Sequence, residues 1–387
     1  MPIIVLPRKI YWNENVEDIV KSIIDEYGLK TILVVTDETL SKLEWFNNII
    51  NAIKDAGARL YTYEKVPPEP PIDIGEKIVS TLPSDTSLDG IFAIGGGSVI
   101  DAAKSALIKL LRPDVNIEDV APFNPLGIEM KKPLLIAIPT TAGTGSDVSY
   151  GIVLTKETPE KREKIDVASY EVIPYVSILD PRLPGGAPRR LIIGAGLDAL
   201  GHALEALTAN QSNPMTDALA EKTIEEIMLW LPKAIEGDLE AMARVHLAAT
   251  MAGIAFTNGG LGLIHAIAHP LGANLKIHHG TMVGIVTPHV VEFNSKDPTL
   301  KEKYNRVKMI LENIHGWPKR ESLADHIRAL YEKIGFPSKI RDYGIDQEAY
   351  KDVKGKVLEE VFHDPSIAFA TVLPTFEELE ALLNRLY

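Results

Sequence analysis

Apolar and polar residues follow different rhythms in the two halves of this chain. In the first half, short aliphatic runs at Thr31–Thr36 (TILVVT), Ala58–Tyr63, Gly90–Ile94 and Leu134–Ile138 alternate with helically spaced segments over 39–56, 72–81 and from Ser98 through Leu110. Such runs suit strands buried on both faces, and strands separated by helices suit a parallel sheet with crossover connections. Runs at 150–155 and 172–179 predict two further strands. Past Asp180-Pro181-Arg182-Leu183-Pro184-Gly185-Gly186 the strand pattern vanishes, and from Pro188 onward helical periodicity dominates. The pattern predicts an α/β domain with a Rossmann-like parallel sheet over 1–185 and an all-helical domain over 186–387.

One stretch invites a membrane reading. No Asp, Glu, Lys or Arg occurs between Arg244 and Lys276, and a spanning helix needs about 20 mostly apolar residues. The run is broken by Asn258-Gly259-Gly260, His265, His269, Pro270, Gly272 and Asn274, which predicts two buried helices joined by a glycine turn. Met1–Leu6 is apolar but too short for a secretory leader and is followed by Pro7-Arg8-Lys9. The absence of cysteine and the presence of only two Gln fit a heat-adapted cytoplasmic protein.

Composition narrows the chemistry. The 387 residues are 45% hydrophobic and carry a net charge of −13, which disfavours a nucleic-acid backbone as partner. With no cysteine, disulfides, thiolate nucleophiles, Cys-ligated zinc and iron–sulfur clusters are all excluded. Any metal must therefore sit on His and carboxylate. None of the ten histidines precedes His202, and six of them lie between 246 and 289.

Two loops in the first half suit a dinucleotide. Gly95-Gly96-Gly97-Ser98 follows a predicted strand and opens a helix, with Asp101 completing an S-x-x-D cap on Ser98. Glycines allow close backbone approach, and a helix N-terminus offers free N–H groups to a pyrophosphate. The spacing is not the G-x-G-x-x-G of an ordinary Rossmann unit. Pro139-Thr140-Thr141-Ala142-Gly143-Thr144-Gly145-Ser146 also follows a strand, and its hydroxyls and glycines can bond phosphate, ribose or the nicotinamide amide. Asp37 stands at a third strand end. It can accept hydrogen bonds from ribose or adenine and repel a 2′-phosphate, or it can simply cap the helix that follows.

In the second half Asp198, His202 and Glu205 stand at i, i+4 and i+7, on one face of a helix otherwise made of Leu, Ala and Gly. His265 and His269 form a second i, i+4 pair, and His279 follows just before Gly280. Buried carboxylates and imidazoles need partners. One carboxylate with three imidazoles from separate segments suits Zn²⁺ or Fe²⁺. The remaining histidines lack such spacing and read as structural or surface residues, with His278 ambiguous.

Taken in order, Asp37, GGGS at 95–98 with Asp101, PTTAGTGS at 139–146, GLDALGHALEA at 196–206, and AGIAFTNGG, GLIHAIAHPLGA and HHG between 252 and 280 resemble the iron-containing (group III) alcohol dehydrogenase family. The resemblance implies a dehydroquinate-synthase-like architecture: an α/β N-terminal nucleotide-binding domain, an all-α C-terminal domain, and an active site in the cleft between them. It implies Asp198, His202, His265 and His279 as metal ligands and His269 as a nearby catalytic histidine. By the same resemblance Asp37, Gly95, Gly96, Gly97, Ser98, Asp101, Thr140, Thr141, Thr144, Ser146 and Lys164 bind the cofactor. The implied cofactors are NAD, with NADP as the alternative, and Fe²⁺ or Zn²⁺. The substrate is then a small alcohol or aldehyde, and the chain a homodimer. Three positions depart from the family pattern: Asp147 after the second loop, His278 before the last ligand, and Thr371-Val372-Leu373-Pro374-Thr375 near the C-terminus.

Two related chemistries compete. A dehydroquinate-synthase-like lyase needs a cationic phosphate site, yet residues 246–290 contain only Lys276 as a cation of the Lys/Arg type. A metal-independent maleylacetate-type reductase should lack some of the four ligand residues, and all four are present. A catalytically silent nucleotide-binding protein is the remaining alternative.

Overall fold

The structure is a computed structural model that describes residues 3–122, 124–157 and 162–387. Its contacts divide the chain into two compact units, Ile4–Gly186 and Ala187–Tyr387.

The first unit is built on strands β1 (Lys9–Trp12), β2 (Thr31–Val35), β3 (Arg59–Tyr63), β4 (Gly90–Gly95), β5 (Leu134–Pro139) and β8 (Val176–Leu179). They form one parallel sheet in the order β1-β8-β5-β4-β2-β3. Strands β6 (Gly151–Glu157) and β7 (Arg162–Ala168) form a separate antiparallel ribbon. Both faces of the large sheet are covered. Ile32, Val34, Phe92, Ile94, Ile136 and Ile138 pack with helices α1 (Val16–Tyr27) and α2 (Glu44–Asp55). Leu33, Val35, Ile91, Ala93, Leu135 and Ala137 pack with α3 (Ile74–Val79) and α4 (Gly97–Leu111). Alternate residues of each strand thus point into two different cores, which is why these strands read as unbroken apolar runs. A short helix α5 (Arg182–Gly185) ends the unit.

Two segments differ from the sequence expectation. The helix expected over 39–56 is interrupted: Leu40–Lys42 form a 3₁₀ turn, Leu43 is extended (φ −83°, ψ 146°), and α2 begins at Glu44. The strand expected over 172–179 is confined to 176–179, because Tyr170–Val172 form a 3₁₀ turn and Ile173 precedes a proline. Glu171 in that turn accepts hydrogen bonds from four consecutive backbone N–H groups, those of Leu126, Gly127, Ile128 and Glu129.

The second unit is helical: α6 (Arg189–Thr208), α7 (Pro214–Ala234), α8 (Leu239–Gly259), α9 (Leu263–Leu275), α10 (His279–Asn294), α11 (Pro298–Met309), α12 (Leu323–Ile334), α13 (Gln347–His363) and α14 (Phe376–Asn384). Helix α6 runs through the middle, packed by α7, α8 and α10. It is long and apolar enough to cross a membrane, yet 89% of its apolar window is buried within the protein. The charge-free stretch forms α8 and α9, bent by 109° at the glycine turn, as the broken pattern predicts.

Candidate metal centre and dinucleotide loops

In the first unit the carboxyl ends of the adjacent strands β2, β4 and β5 carry Asp37, the glycine loop and the threonine loop. Ligands of open parallel sheets bind at such ends. Asp37 spends one carboxylate oxygen on the backbone N–H groups of Thr39 and Leu40 at 2.8 and 2.9 Å, and this tight turn is what delays α2. The glycine loop leads straight into α4, whose N-cap is Gly96, with no side chain closing its first N–H groups. A Cβ on Gly95 would lie 2.5 Å from Val99 of the following helix, while Cβ atoms on Gly96 and Gly97 would crowd Thr141 at 3.3 Å and Thr144 at 3.1 Å, so the lack of side chains at 96 and 97 lets the two loops pack closely. The expected S-x-x-D cap does not form. Ser98 is already inside the helix, and its hydroxyl donates to the carbonyl of Pro68.

Asp101 and Ser146 belong to a buried network rather than to an open surface. Lys104, fully buried in α4, donates to Ser146 Oγ at 2.9 Å, to the Gly151 carbonyl at 2.8 Å and to Asp101 Oδ1 at 3.4 Å. Ser146 donates to Asp101 Oδ1, while Asp101 Oδ2 accepts from Val153 N at 3.0 Å. Both carboxylate oxygens and the hydroxyl are thereby used internally. They tie the glycine-loop helix to the threonine loop and to β6. Burial lowers the Lys104 pKa, against the pull of Asp101. Lys104 escaped sequence reasoning, although a lysine inside the otherwise small and apolar run IDAAKSALI is itself a signal. Asp147 accepts from Ser177 Oγ at 2.7 Å and so ties the same loop to β8. Thr140 is buried, the buried Thr141 hydroxyl has no hydrogen-bond partner, and Thr144 Oγ1 accepts from Ser146 N. Lys164 lies on β7 opposite Thr155, half-buried.

In the second unit the helical spacing has its expected result. Asp198, His202 and Glu205 line one buried face of α6. His265 and His269 come from α9, and His279 is the first residue of α10, behind the N-cap His278. Three imidazoles converge on one oxygen: Asp198 Oδ1 lies 3.2 Å from His279 Nε2, 3.6 Å from His265 Nε2 and 4.0 Å from His202 Nε2. Donor atoms of Asp198, His202 and His265 lie within 4.8 Å of one another. Asp198 Oδ1 and His265 Nε2 are buried without any hydrogen-bond partner. Orphaned buried acceptors are costly, and a donor set of one carboxylate and imidazole nitrogens suits a divalent cation. The residues therefore fit the metal that the sequence implies.

The electrostatics point the same way. Burial alone would raise the Asp198 carboxyl, but His202, His279 and His265 hold it well below its usual range. His265 is pushed up to about 10, because Glu205 and Asp198 on either side outweigh its burial. His279 is driven down to about 4, chiefly by burial, with Asp198 opposing. The field between Asp198 and Glu205 thus favours a positive charge at His265.

Two residues outside the expected set complete the centre. Glu205 bonds His265 Nδ1 and accepts from the backbone N–H groups of Ile264 and His265. Asp364 bonds His269 Nδ1 at 2.8 Å. It lies 95 residues from its partner, a separation that no spacing argument spans. The His269 ring stacks on that of His279, with centroids 5.2 Å apart. Among the other histidines, His315 pairs with Glu225 and His326 with Glu312, consistent with structural roles.

Comparison with known proteins decides the family. The description "Iron-containing alcohol dehydrogenase" matches residues 7–181, and "Fe-containing alcohol dehydrogenase family, C-terminal" matches 192–386. The chain belongs to the iron-containing alcohol dehydrogenase family. It is 34% identical to an alcohol dehydrogenase of Thermococcus barophilus over 99% of this chain and 98% of that protein. It is 33% identical to an NADPH-dependent butanol dehydrogenase of Clostridium saccharobutylicum over 93% and 91% of the two chains. An iron-containing alcohol dehydrogenase from Thermococcus thioreducens superposes with a TM-score of 0.89 at 32% identity, covering 100% of this chain and 99% of that one. As an iron-containing alcohol dehydrogenase the chain is an oxidoreductase acting on CH–OH groups, with a nicotinamide cofactor and a divalent metal. The dehydroquinate-synthase-like architecture stands, and the lyase and metal-free alternatives are not favoured.

Proposed function

We propose that this alcohol dehydrogenase holds its metal on Asp198, His202, His265 and His279 and uses His269 to move the substrate proton. Residues 1–185 are the dinucleotide-binding domain and 186–387 the metal-binding catalytic domain. The observation that carries this reading is the convergence of three imidazole nitrogens on Asp198 Oδ1 without a hydrogen bond to satisfy it. When bound, the ion supplies Lewis acidity to the substrate oxygen and the nicotinamide supplies or accepts the hydride.

The chain's own residues do the rest. Asp198 brings the only carboxylate charge of the ligand set, so the centre keeps a net positive field for substrate oxygen. The apolar surroundings of α6 exclude water and strengthen that field. His269, held through Nδ1 by Asp364, keeps its Nε2 to exchange a proton with substrate or solvent. Gly95, Gly96, Gly97 and the first turn of α4 receive the pyrophosphate, with Thr140, Thr141, Thr144 and Lys164 toward the nicotinamide. Ser98, Asp101 and Ser146 hold that cradle in shape. The second carboxylate oxygen of Asp37 meets the adenosine ribose, which favours NAD over NADP.

A homodimer is supported by β1. It is an edge strand, and Ile4, Leu6, Ile10 and Trp12 on and just before it are exposed. Exposed apolar edge strands invite pairing with another chain. The cysteine-free composition fits a cytoplasmic enzyme.

Elemental analysis of the purified protein, combined with a panel of short alcohols and aldehydes run with NAD(H) and NADP(H), tests the reading. One equivalent of iron or zinc per chain and faster turnover with NAD(H) are expected. Full turnover in a metal-stripped sample would overturn it.

A further inference from the structure

We infer that Glu205 is the positioning residue that makes His265 a metal ligand, by fixing its tautomer and the start of the helix that carries it. The inference rests on the ligand assignment proposed above and extends it to a residue outside the metal's reach. Glu205 is 2% exposed and has no lysine or arginine beside it among its described contacts. Its partners are instead His265 Nδ1 and the N–H groups of Ile264 and His265. Helix α9 starts after Gly262 without a side-chain cap of its own, so a carboxylate from another helix takes that place. The positive end of the α9 dipole in turn stabilises the buried charge.

The chemistry then follows from donors and acceptors. An ionised carboxylate only accepts. Bonded to Nδ1, it forces that nitrogen to carry a proton, so that once a cation displaces the proton of Nε2 the neutral ring presents its lone pair there. That nitrogen is the one aimed at Asp198 Oδ1, 3.6 Å away. Without Glu205 the ring is free to turn or to carry its proton on Nε2, and it then presents no lone pair to a cation. Helix α6 therefore supplies Asp198 and His202 directly and governs a third ligand through Glu205, seven residues further on. Gly262 belongs to the same arrangement, since a Cβ there would approach Glu205 Oε1 to 3.3 Å.

The test measures Zn²⁺ affinity of the full-length chain by chelator competition, independent of turnover. Glu205→Gln keeps an acceptor for the helix N–H groups but offers an amide N–H₂ where the histidine needs an acceptor. Its Kd for Zn²⁺ should rise about 10- to 100-fold, the usual cost of losing an outer partner of a ligand histidine. Gly262→Ala, which crowds the carboxylate without removing it, should weaken binding in the same direction by less. Glu205→Asp should fall between Gln and the parent. His265→Ala is run beside them and should bind far more weakly than any. If His265→Ala binds weakly while Glu205→Gln and Gly262→Ala match the parent, the role of Glu205 is overturned and the ligand assignment stands. If His265→Ala binds as the parent does, the assignment and the inference fall together. Should Glu205→Gln not fold, as read by near-UV circular dichroism, the Gly262→Ala and Glu205→Asp affinities decide alone.

Discussion

Two buried polar clusters, one in each unit, look alike in composition and differ in what they leave open. Around Lys104 every charged atom is answered: its amine meets Ser146, Gly151 and Asp101, and both Asp101 oxygens are bonded. Around Asp198 the atoms converge but do not pair, and Asp198 Oδ1 and His265 Nε2 stay without a hydrogen bond. Burying polar groups is tolerable only when they are satisfied. A closed network accounts for itself as architecture, whereas an open one asks for something more. The contrast separates a site from a strut more sharply than residue type does, since both clusters contain a buried carboxylate.

The strongest way to break the contrast is at the open cluster. His265→Ala should lose bound metal and turnover together. Removing several kcal/mol of charge stabilisation corresponds to a drop in kcat/KM of about a thousandfold or more. Metal content by elemental analysis and steady-state kinetics on one preparation check it.

Lys104→Met should do the opposite. It leaves Asp101 buried without its cation, and breaking such a pair costs about 3–5 kcal/mol of stability, read by urea unfolding. Metal content should be unchanged, while the KM for the nicotinamide cofactor rises as the two loops lose their tie.

His269→Ala sharpens the comparison within the metal centre itself. It should keep the metal, lower turnover by up to about a hundredfold and alter the shape of the pH–rate profile, as removal of a proton-transfer group does. Loss of metal from this variant would make His269 a ligand.

The smallest effect belongs to Glu171, a second closed cluster. Burial would raise its pKa, but the four backbone N–H groups of 126–129 lower it below the ordinary carboxylate value. Its contribution to stability is therefore present above about pH 4.3, the ordinary unfolded value, and is lost as pH falls through the lower folded value. Glu171→Gln should be less stable than the parent at neutral pH, and the difference should shrink on acidification. A gap that persists or widens at low pH would show that the carboxylate charge is not what the loop needs.

Much of this was legible in the sequence, for identifiable reasons. The central strands are buried on both faces, so β2, β4 and β5 appear as apolar runs. Asp198, His202 and Glu205 share a face because 3.6 residues make a turn, and helical spacing needs no tertiary knowledge. Strand β1 was not legible, because its four residues KIYW are only partly buried and sit at an edge. Strand β7 was not, because REKIDVA is rich in charge. The Asp364 pairing was invisible for another reason: a hydrogen bond between residues far apart in the chain leaves no local trace. The part taken by Glu205 was half legible, its position on the α6 face being periodic and its partners in α9 not. Ser98 shows the converse failure, where a local motif satisfied the capping pattern and the helix had in fact begun earlier, at Gly97.

The proposed metal donors are spread over α6, α9 and α10, and the chain between Asp198 and His279 includes the sharp bend after α8. A ligand set distributed in this way works as a cross-link. Binding there closes a long loop of chain and favours the folded state by mass action, by about 2.7 kcal/mol at a free ion concentration one hundred times the Kd. With such a ligand set the heat tolerance of the helical unit should rise with the free concentration of the metal around it, without any change of sequence.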